Sequence, residues 1–267
     1  MRRRFFVERF ENNAAALSAE TAHHLMRVLR AEPGQLYELS DGESLWLART
    51  ESVGRDAIEF ALVEQLPIHL PPLRITLLLA IVKFDRFEWA IEKATELGVD
   101  EIIPLAAERS EKGLIAASAK RAQRWKKILL ESSQQSRRLR VPVLHDAAPP
   151  RTAFHTENSH LRFLLSERPT AAPMRDLLEP LCATAQNRDQ DKNIVNLAIA
   201  IGPEGGWTDA EFIVATESGF AEAALGINIL RTETAVCAAL AAAQYAFGAF
   251  RKMDSSEMRY KQREGNP

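Results

Sequence analysis

The rhythm of hydrophobic positions changes near residue 70. Before that point apolar and polar residues alternate over short stretches. QLYELS, SLWLART and AIEFALVEQ each have strand length, and Asp41-Gly42 supplies a hairpin turn between the first two. Alternation with a period of two lets one face of a sheet be buried while the other meets water. SAETAHHLMRVLR interrupts this pattern and predicts one helix, starting at Ser18 and stopping before Pro33-Gly34. Residues 1–70 thus read as a small, mainly β barrel. The proline-rich stretch IHLPPLR, with Pro67 just ahead of it, reads as the linker that follows.

After residue 72 strands and helices alternate. ITLLLAIV, DEIIPLAA, LRFLLSE and NLAIAIG are runs of consecutive apolar residues, as strands buried on both faces of a parallel sheet require. Asp85 with Glu88 three positions on predicts a capping box, and Phe87, Ile91, Ala94 and Leu97 then share one helix face until Gly98 ends it. A second helix is expected over about 118–134. A third starts at Thr208, whose partner at capping-box spacing is Glu211, and an alanine-dense helix runs from Thr232 to about Arg251. AQNRDQDKN and DSSEMRYKQREGNP read as polar, mobile segments. The fold class is α/β, with a parallel-sheet domain over 71–251, the β module over 1–70 and a polar tail over 252–267.

Composition narrows the function classes. An apolar fraction of 46% is too high for a disordered chain, and 34 Lys and Arg against 36 Asp and Glu argue against a histone-like polycation. Apolar runs stay strand-sized, well short of the ~20 residues of a membrane helix, so no membrane partner is expected. MRRRFFVERFENN has no apolar core or cleavage site of a signal peptide. Cys182 and Cys237 lack metal-ligand spacing and read as reduced core thiols of a cytoplasmic protein. The six histidines are scattered and neither HExxH nor CxxC occurs, so no metal site is expected.

The richest chemistry lies in NLAIAIGPEGGWTDAEF. A buried strand ends at Gly202, and a turn containing Gly205 and Gly206 leads into the helix at Thr208. Such a turn lets backbone amides and carbonyls approach a ligand, and it falls where open parallel sheets bind theirs, outside the carboxyl ends of strands. GxGxxG, GxxxxGK[ST] and GxSxG are all absent, which argues against dinucleotide, nucleoside-triphosphate and serine-hydrolase sites. A second turn, Leu225-Gly226, precedes Leu230-Arg231-Thr232-Glu233-Thr234 at a helix start, and LRFLLSE ends at Leu165-Ser166-Glu167. Three such turns can form the walls of one pocket. Each alone also fits a plain connection, with Arg231 and Glu233 at a solvated helix terminus.

Taken together, GPEGGWTDAE (202–211), LGINILRTETA (225–235), KFDRFEWAIEKATELGVDEIIPL (83–105), ERS (108–110), QQSRR (134–138) and HHLMRVLR (23–30) resemble the RsmE family of SPOUT-class RNA methyltransferases. The pieces occur in family order and span nearly the whole chain. At Asn228 the chain departs from the family, which often has a basic residue there. The resemblance implies a PUA-like N-terminal barrel and a trefoil-knotted domain that binds S-adenosyl-L-methionine. It also implies a homodimer with active sites near the subunit interface, and 16S rRNA of the small ribosomal subunit as partner. The implied reaction is methylation at N3 of one uridine, number 1498, near the decoding centre.

For the cofactor, the resemblance points to Leu165, Ser166, Glu167, Gly202, Pro203, Gly205, Gly206, Leu225, Gly226, Leu230 and Thr232. Arg231 and Glu204 are the catalytic candidates, with support of the glycine turn as the alternative role of Glu204. Arg9, His24, Arg27, Arg30, Lys83, Arg109, Ser110 and Arg137 are the candidate RNA contacts. Lys93 and Glu96, three apart, read as an intrahelical pair, and the basic run Arg121, Arg124, Lys126, Lys127 as a solvated face. Rival readings are a non-catalytic RNA-binding assembly factor, an α/β enzyme of small molecules, and a related methyltransferase of another RNA.

Overall fold

In the computed structural model, which describes residues 4–11, 13–18, 31–54, 57–179 and 194–247, the chain divides into two units. Residues 1–70 form the first together with 130–141, and 71–129 with 142–267 form the second.

The first unit holds a five-stranded sheet of order β1-β3-β4-β5-β2, built from β1 (Arg4–Phe6), β2 (Ala14–Ser18), β3 (Leu36–Ser40), β4 (Leu45–Val53) and β5 (Ala57–Gln65). Only β1 and β3 run parallel; the other pairs are antiparallel. The hairpin at Asp41-Gly42 forms as the alternation predicts, with Gly42 at φ +89°. Phe5, Leu17, Leu39, Ala48, Ile58 and Phe60 fill the core, and Tyr37 meets the rings of Phe5 and Phe60 edge-on at 5.5 and 6.2 Å. Ser18, the expected helix start, is the last residue of β2, paired with Ala57. The rest of that expected helix, including His23, His24, Arg27 and Arg30, lies outside the described residues.

Residues 130–141 join this unit through polar contacts. Glu38 is only 2% exposed, a burial that a carboxylate tolerates only with a cation beside it. Arg4 donates to it at 2.8 and 3.0 Å, and Arg137 sits 3.7 Å away on its other oxygen. Arg4 also donates to the Arg137 carbonyl, and the Ser40 hydroxyl donates to the Leu139 carbonyl at 2.8 Å. Arg137 adopts φ +55°, unusual for a side chain with a Cβ and held here by these bonds.

The second unit is a seven-stranded, all-parallel sheet of order β10-β12-β9-β11-β6-β7-β8. Its strands are β6 (Leu73–Ala80), β7 (Glu101–Leu105), β8 (Val143–Leu144), β9 (Leu161–Leu165), β10 (Ala172–Pro173), β11 (Val195–Ile201) and β12 (Ala221–Ala224). The central strands β6, β9 and β11 carry the uninterrupted apolar runs, and their last residues are buried, as a sheet covered on both faces demands. Helices α1 (Phe84–Glu96), α2 (Lys112–Gln135), α3 (Pro150–Thr156), α4 (Asp209–Glu217) and α5 (Thr232–Ala246) connect them, with the end of α2 counting with the first unit. α1 packs on α5, and the Gln244 amide donates to the Leu97 carbonyl at 3.0 Å.

Two helix starts are built differently. At Thr208 the expected capping box is present: the Thr208 hydroxyl accepts from the Glu211 amide, and the Glu211 carboxylate accepts from the Thr208 amide at 2.8 Å. The box expected at Asp85 and Glu88 does not form. Lys83 occupies the N-cap without a side-chain cap, and Asp85 lies in the first turn. Glu88 is taken by the second helix, accepting from Arg124 at 2.7 Å and Arg121 at 3.4 Å. The last helix is described to Ala246; the segments AQNRDQDKN and 248–267 lie outside the described residues.

Candidate active site

Strand order decides which turns can meet. β12, β9 and β11 are consecutive neighbours and parallel, so the chain leaves all three at the same sheet edge. β9 ends at Leu165, β11 at Ile201 and β12 at Ala224, which brings residues 165–169, 202–207 and 225–232 around one cavity of about 700 Å³. Every residue expected to touch the cofactor lines it: Leu165, Ser166, Glu167, Gly202, Pro203, Gly205, Gly206, Leu225, Gly226, Leu230 and Thr232. Both catalytic candidates, Glu204 and Arg231, line it as well. These residues are up to 67 positions apart in sequence, from Leu165 to Thr232, and only the parallel crossover connections unite them.

The 202–207 wall is fixed at many points. Trp207 is buried and donates from its indole to the Leu165 carbonyl at 3.0 Å, tying this turn to the one after β9. The Thr232 hydroxyl donates to the Gly202 carbonyl at 3.1 Å, tying it to the third. A Cβ at Gly202 would stand 3.0 Å from the Trp207 ring, so close an approach requires glycine; Gly206 adopts φ +68°. Beside Trp207, the Glu167–Arg168 stretch is anchored too. Arg168 lies 3.5 Å above the Phe212 ring and pairs with Asp209, while the Ser166 hydroxyl donates to Glu222.

Glu204 and Arg231 differ in setting. Glu204 accepts from Arg86 of α1 at 2.8 Å, a residue whose sequence signal is only its place in the 83–105 motif. Arg231 occupies the N-cap of α5, exposed at the cavity with no side-chain cap bond. Trp207 and Arg168 likewise stand outside the expected site residues. A tryptophan directly after a glycine turn was the available signal for the first, and Arg168 carried none.

The expected RNA contacts differ in setting. Arg109 lines the cavity, and its guanidinium donates to the Gly205 carbonyl at 2.7 Å, so it serves the turn. Ser110 is buried, with a hydroxyl that finds no partner among the described residues. Arg137 faces the buried Glu38. Arg9 is exposed and pairs with Glu11 at 2.7 Å, and Lys83 is exposed at the start of α1. His24, Arg27 and Arg30 lie outside the described residues. Lys93 bonds Glu92 and Glu96 at 2.7 and 2.8 Å, and these two carboxylates hold its ammonium well above the usual lysine range. Cys237 carries a free thiol, pushed up by burial; Cys182 lies outside the described residues. Among the described residues, no group of three or more His, Cys, Asp or Glu is placed to hold a metal, and no helix is long and apolar enough to cross a membrane.

An all-parallel sheet with three turns around a cavity at its carboxyl edge defines an α/β ligand-binding protein of the open-sheet class. Comparison with known proteins narrows this. The family described as RNA methyltransferase domain matches residues 69–244. The ribosomal RNA small subunit methyltransferase E of Synechocystis sp. is 33% identical over 235 residues, covering 84% of this chain and 71% of that protein. Its counterpart from Bacillus subtilis is 29% identical over 233 residues, covering 86% and 89%. A crystal structure of ribosomal RNA small subunit methyltransferase E from Neisseria gonorrhoeae, bound to S-adenosyl methionine, matches with a TM-score of 0.79 at 30% identity, over 92% of this chain and 98% of that one. The structure of a Legionella pneumophila protein in complex with the cofactor SAM matches with the same TM-score at 28% identity, over 92% and 98%. The chain belongs to the RNA methyltransferase domain family and, within it, to the ribosomal RNA small subunit methyltransferase E (RsmE) family.

Proposed function

We propose that the protein methylates N3 of one uridine in 16S rRNA of the small ribosomal subunit, with S-adenosyl-L-methionine as donor and uridine 1498 as the family's target. The observation that carries this reading is the convergence of three turns on one cavity whose walls are mostly backbone and apolar side chains. Such walls suit an adenine ring, which needs hydrogen bonds at its edge and no charged partner. The size fits as well: about 700 Å³ lies within the range of small-molecule sites. A Cβ at Gly226 would meet nothing within 4 Å, so the glycine leaves open room at that wall. Gly202, Gly205 and Gly206 let main-chain atoms form another part of the lining.

The donor supplies a methyl group already activated on a sulfonium, so this chain must align the base and favour loss of its N3 proton. Arg231, exposed at the cavity, stabilises negative charge developing on the uracil oxygens. Glu204 orients the base from the neighbouring wall. Trp207, Thr232 and Arg109 keep the turns in register. Arg9 and Lys83, with His24, Arg27 and Arg30, contribute to the RNA surface, so binding weakens steeply with added salt. The first unit is a PUA-like RNA-binding module and the second a knotted SPOUT domain. The working form is a homodimer, which gives exposed Trp89, Ile227, Ile229 and Tyr245 a surface to cover.

The decisive experiment is mass spectrometry of small-subunit rRNA from cells lacking the protein. Loss of one N3-methyluridine is expected; full retention of that nucleotide overturns the reading. Single-turnover transfer by Arg231→Ala at saturating donor is expected to be slow with donor affinity retained. Wild-type speed removes Arg231 from the chemistry.

A further inference from the structure

Backbone and side chain of the 202–206 turn are held by separate groups. The backbone is fixed by Arg109 on the Gly205 carbonyl at 2.7 Å, by Thr232 on the Gly202 carbonyl at 3.1 Å, and by the Gly206 amide on the Pro203 carbonyl at 2.8 Å. None of these touches the carboxylate of Glu204. That carboxylate accepts from Arg86 Nη1 at 2.8 Å. Arg86 stands in the first turns of α1, the helix after β6, and β6 is the sheet neighbour of β11, from which the turn departs. It does not line the cavity.

Behind Arg86 lies a second carboxylate. Glu233 Oε1 is 4.0 Å from Arg86 Nε, and Glu233 Oε2 is buried with no hydrogen-bond partner among the described residues. A guanidinium carries five donors in a planar fork and can face two carboxylates at once. Here one cation stands between two anions, in contact with the one that reaches the cavity and just short of the one on α5.

We propose that Arg86 is a positioning residue for the methyl transfer: it fixes the Glu204 carboxylate at the cavity wall, with Glu233 setting the orientation of its guanidinium from behind. The proposal rests on the reading of this cavity as the methyl-donor site. Because Arg86 reaches the side chain of the turn and leaves the backbone to other groups, its loss spares donor binding and slows the step in which Glu204 meets the uracil.

The test uses the full-length protein and two measurements: calorimetric binding of S-adenosylhomocysteine, and single-turnover methyl transfer to small-subunit rRNA at saturating donor. Arg86→Gln is expected to transfer about tenfold or more slowly, the scale of a misplaced orienting group, with affinity for S-adenosylhomocysteine within about threefold of wild type. Arg86→Lys, which keeps the cation, is expected to recover most of the rate. Glu204→Gln alters a half-exposed turn residue and so keeps the test open if Arg86→Gln does not fold. It is expected to be slow to the same degree, and the double variant no slower than either single one, since the two residues act as a unit. Additive losses in the double variant, or affinity falling in step with rate, overturn the positioning role while the donor-site reading stands. A wild-type protein that does not bind S-adenosylhomocysteine overturns both.

Discussion

Two glycine-containing turns line the cavity, and they are built to opposite rules. The 202–207 wall is tied at every side: indole to Leu165, hydroxyl to Gly202, guanidinium to Gly205, carboxylate to Arg86. In the 225–230 wall Leu225 and Leu230 are half-buried, while Ile227 is fully exposed and Ile229 is at 77%. The first wall is preorganised by the chain that carries it, which suits a surface that must present fixed amides and carbonyls. The second leaves large apolar side chains exposed on this chain.

The sharpest way to break this contrast is to remove the post of the rigid wall. Trp207→Ala should cost about 3–5 kcal/mol of stability in denaturant unfolding, the scale of emptying a buried aromatic site. A loss under about 1 kcal/mol means that the wall is not anchored through this ring. Gly205→Val probes the same wall more gently. A Cβ there stands 3.2 Å from the Arg109 Cβ, so a branched side chain displaces the guanidinium from the Gly205 carbonyl. Calorimetry should then show donor affinity down at least about tenfold, the equivalent of about 1.4 kcal/mol. Unimpaired binding removes the turn from the donor site. Thr208→Ala, which takes away the helix cap directly after the wall, should lower stability by about 1 kcal/mol in the same unfolding assay. The smallest effect belongs to the other wall. Ile227→Ser should change the stability of the isolated chain by less than about 0.5 kcal/mol, and a larger loss in dilute solution shows that Ile227 packs within its own chain.

Periodicity revealed the longer strands of both units because each sheet imposes its own, alternation at β4 and β5 and unbroken apolar runs at β6 and β11, while β1, β2, β8, β10, β12 and the short helix α3 carry too few residues to show a period. The capping box at Thr208 was legible because both of its partners are local. The one expected at Asp85 failed because Glu88 is claimed by Arg121 and Arg124 from a helix more than thirty residues on, which no local spacing reveals. The cavity was legible for a similar mixture of reasons. Its glycine turns mark themselves in sequence, while the partners that hold them, Arg86 and Arg109, are 118 and 96 positions away from the atoms they bind. Arg137 shows the same limit: the family resemblance offers it as an RNA contact, while its 3.7 Å approach to buried Glu38 carries no local signal in the sequence.

That buried carboxylate also constrains how the chain can be made and divided. Among the described residues, two cations beside it come from opposite ends of a 141-residue stretch, Arg4 near the start and Arg137 beyond the second helix. During synthesis the first unit therefore stays unfinished while strands of the second are already emerging, and it is completed only when residues 130–141 arrive. A fragment cut at Leu70 would keep all five of its strands yet lose one neighbour of Glu38 and the carbonyl that receives the Ser40 hydroxyl. The sound place to divide this protein is in space, along the grouping of its two units, and no single cut in the chain reproduces it.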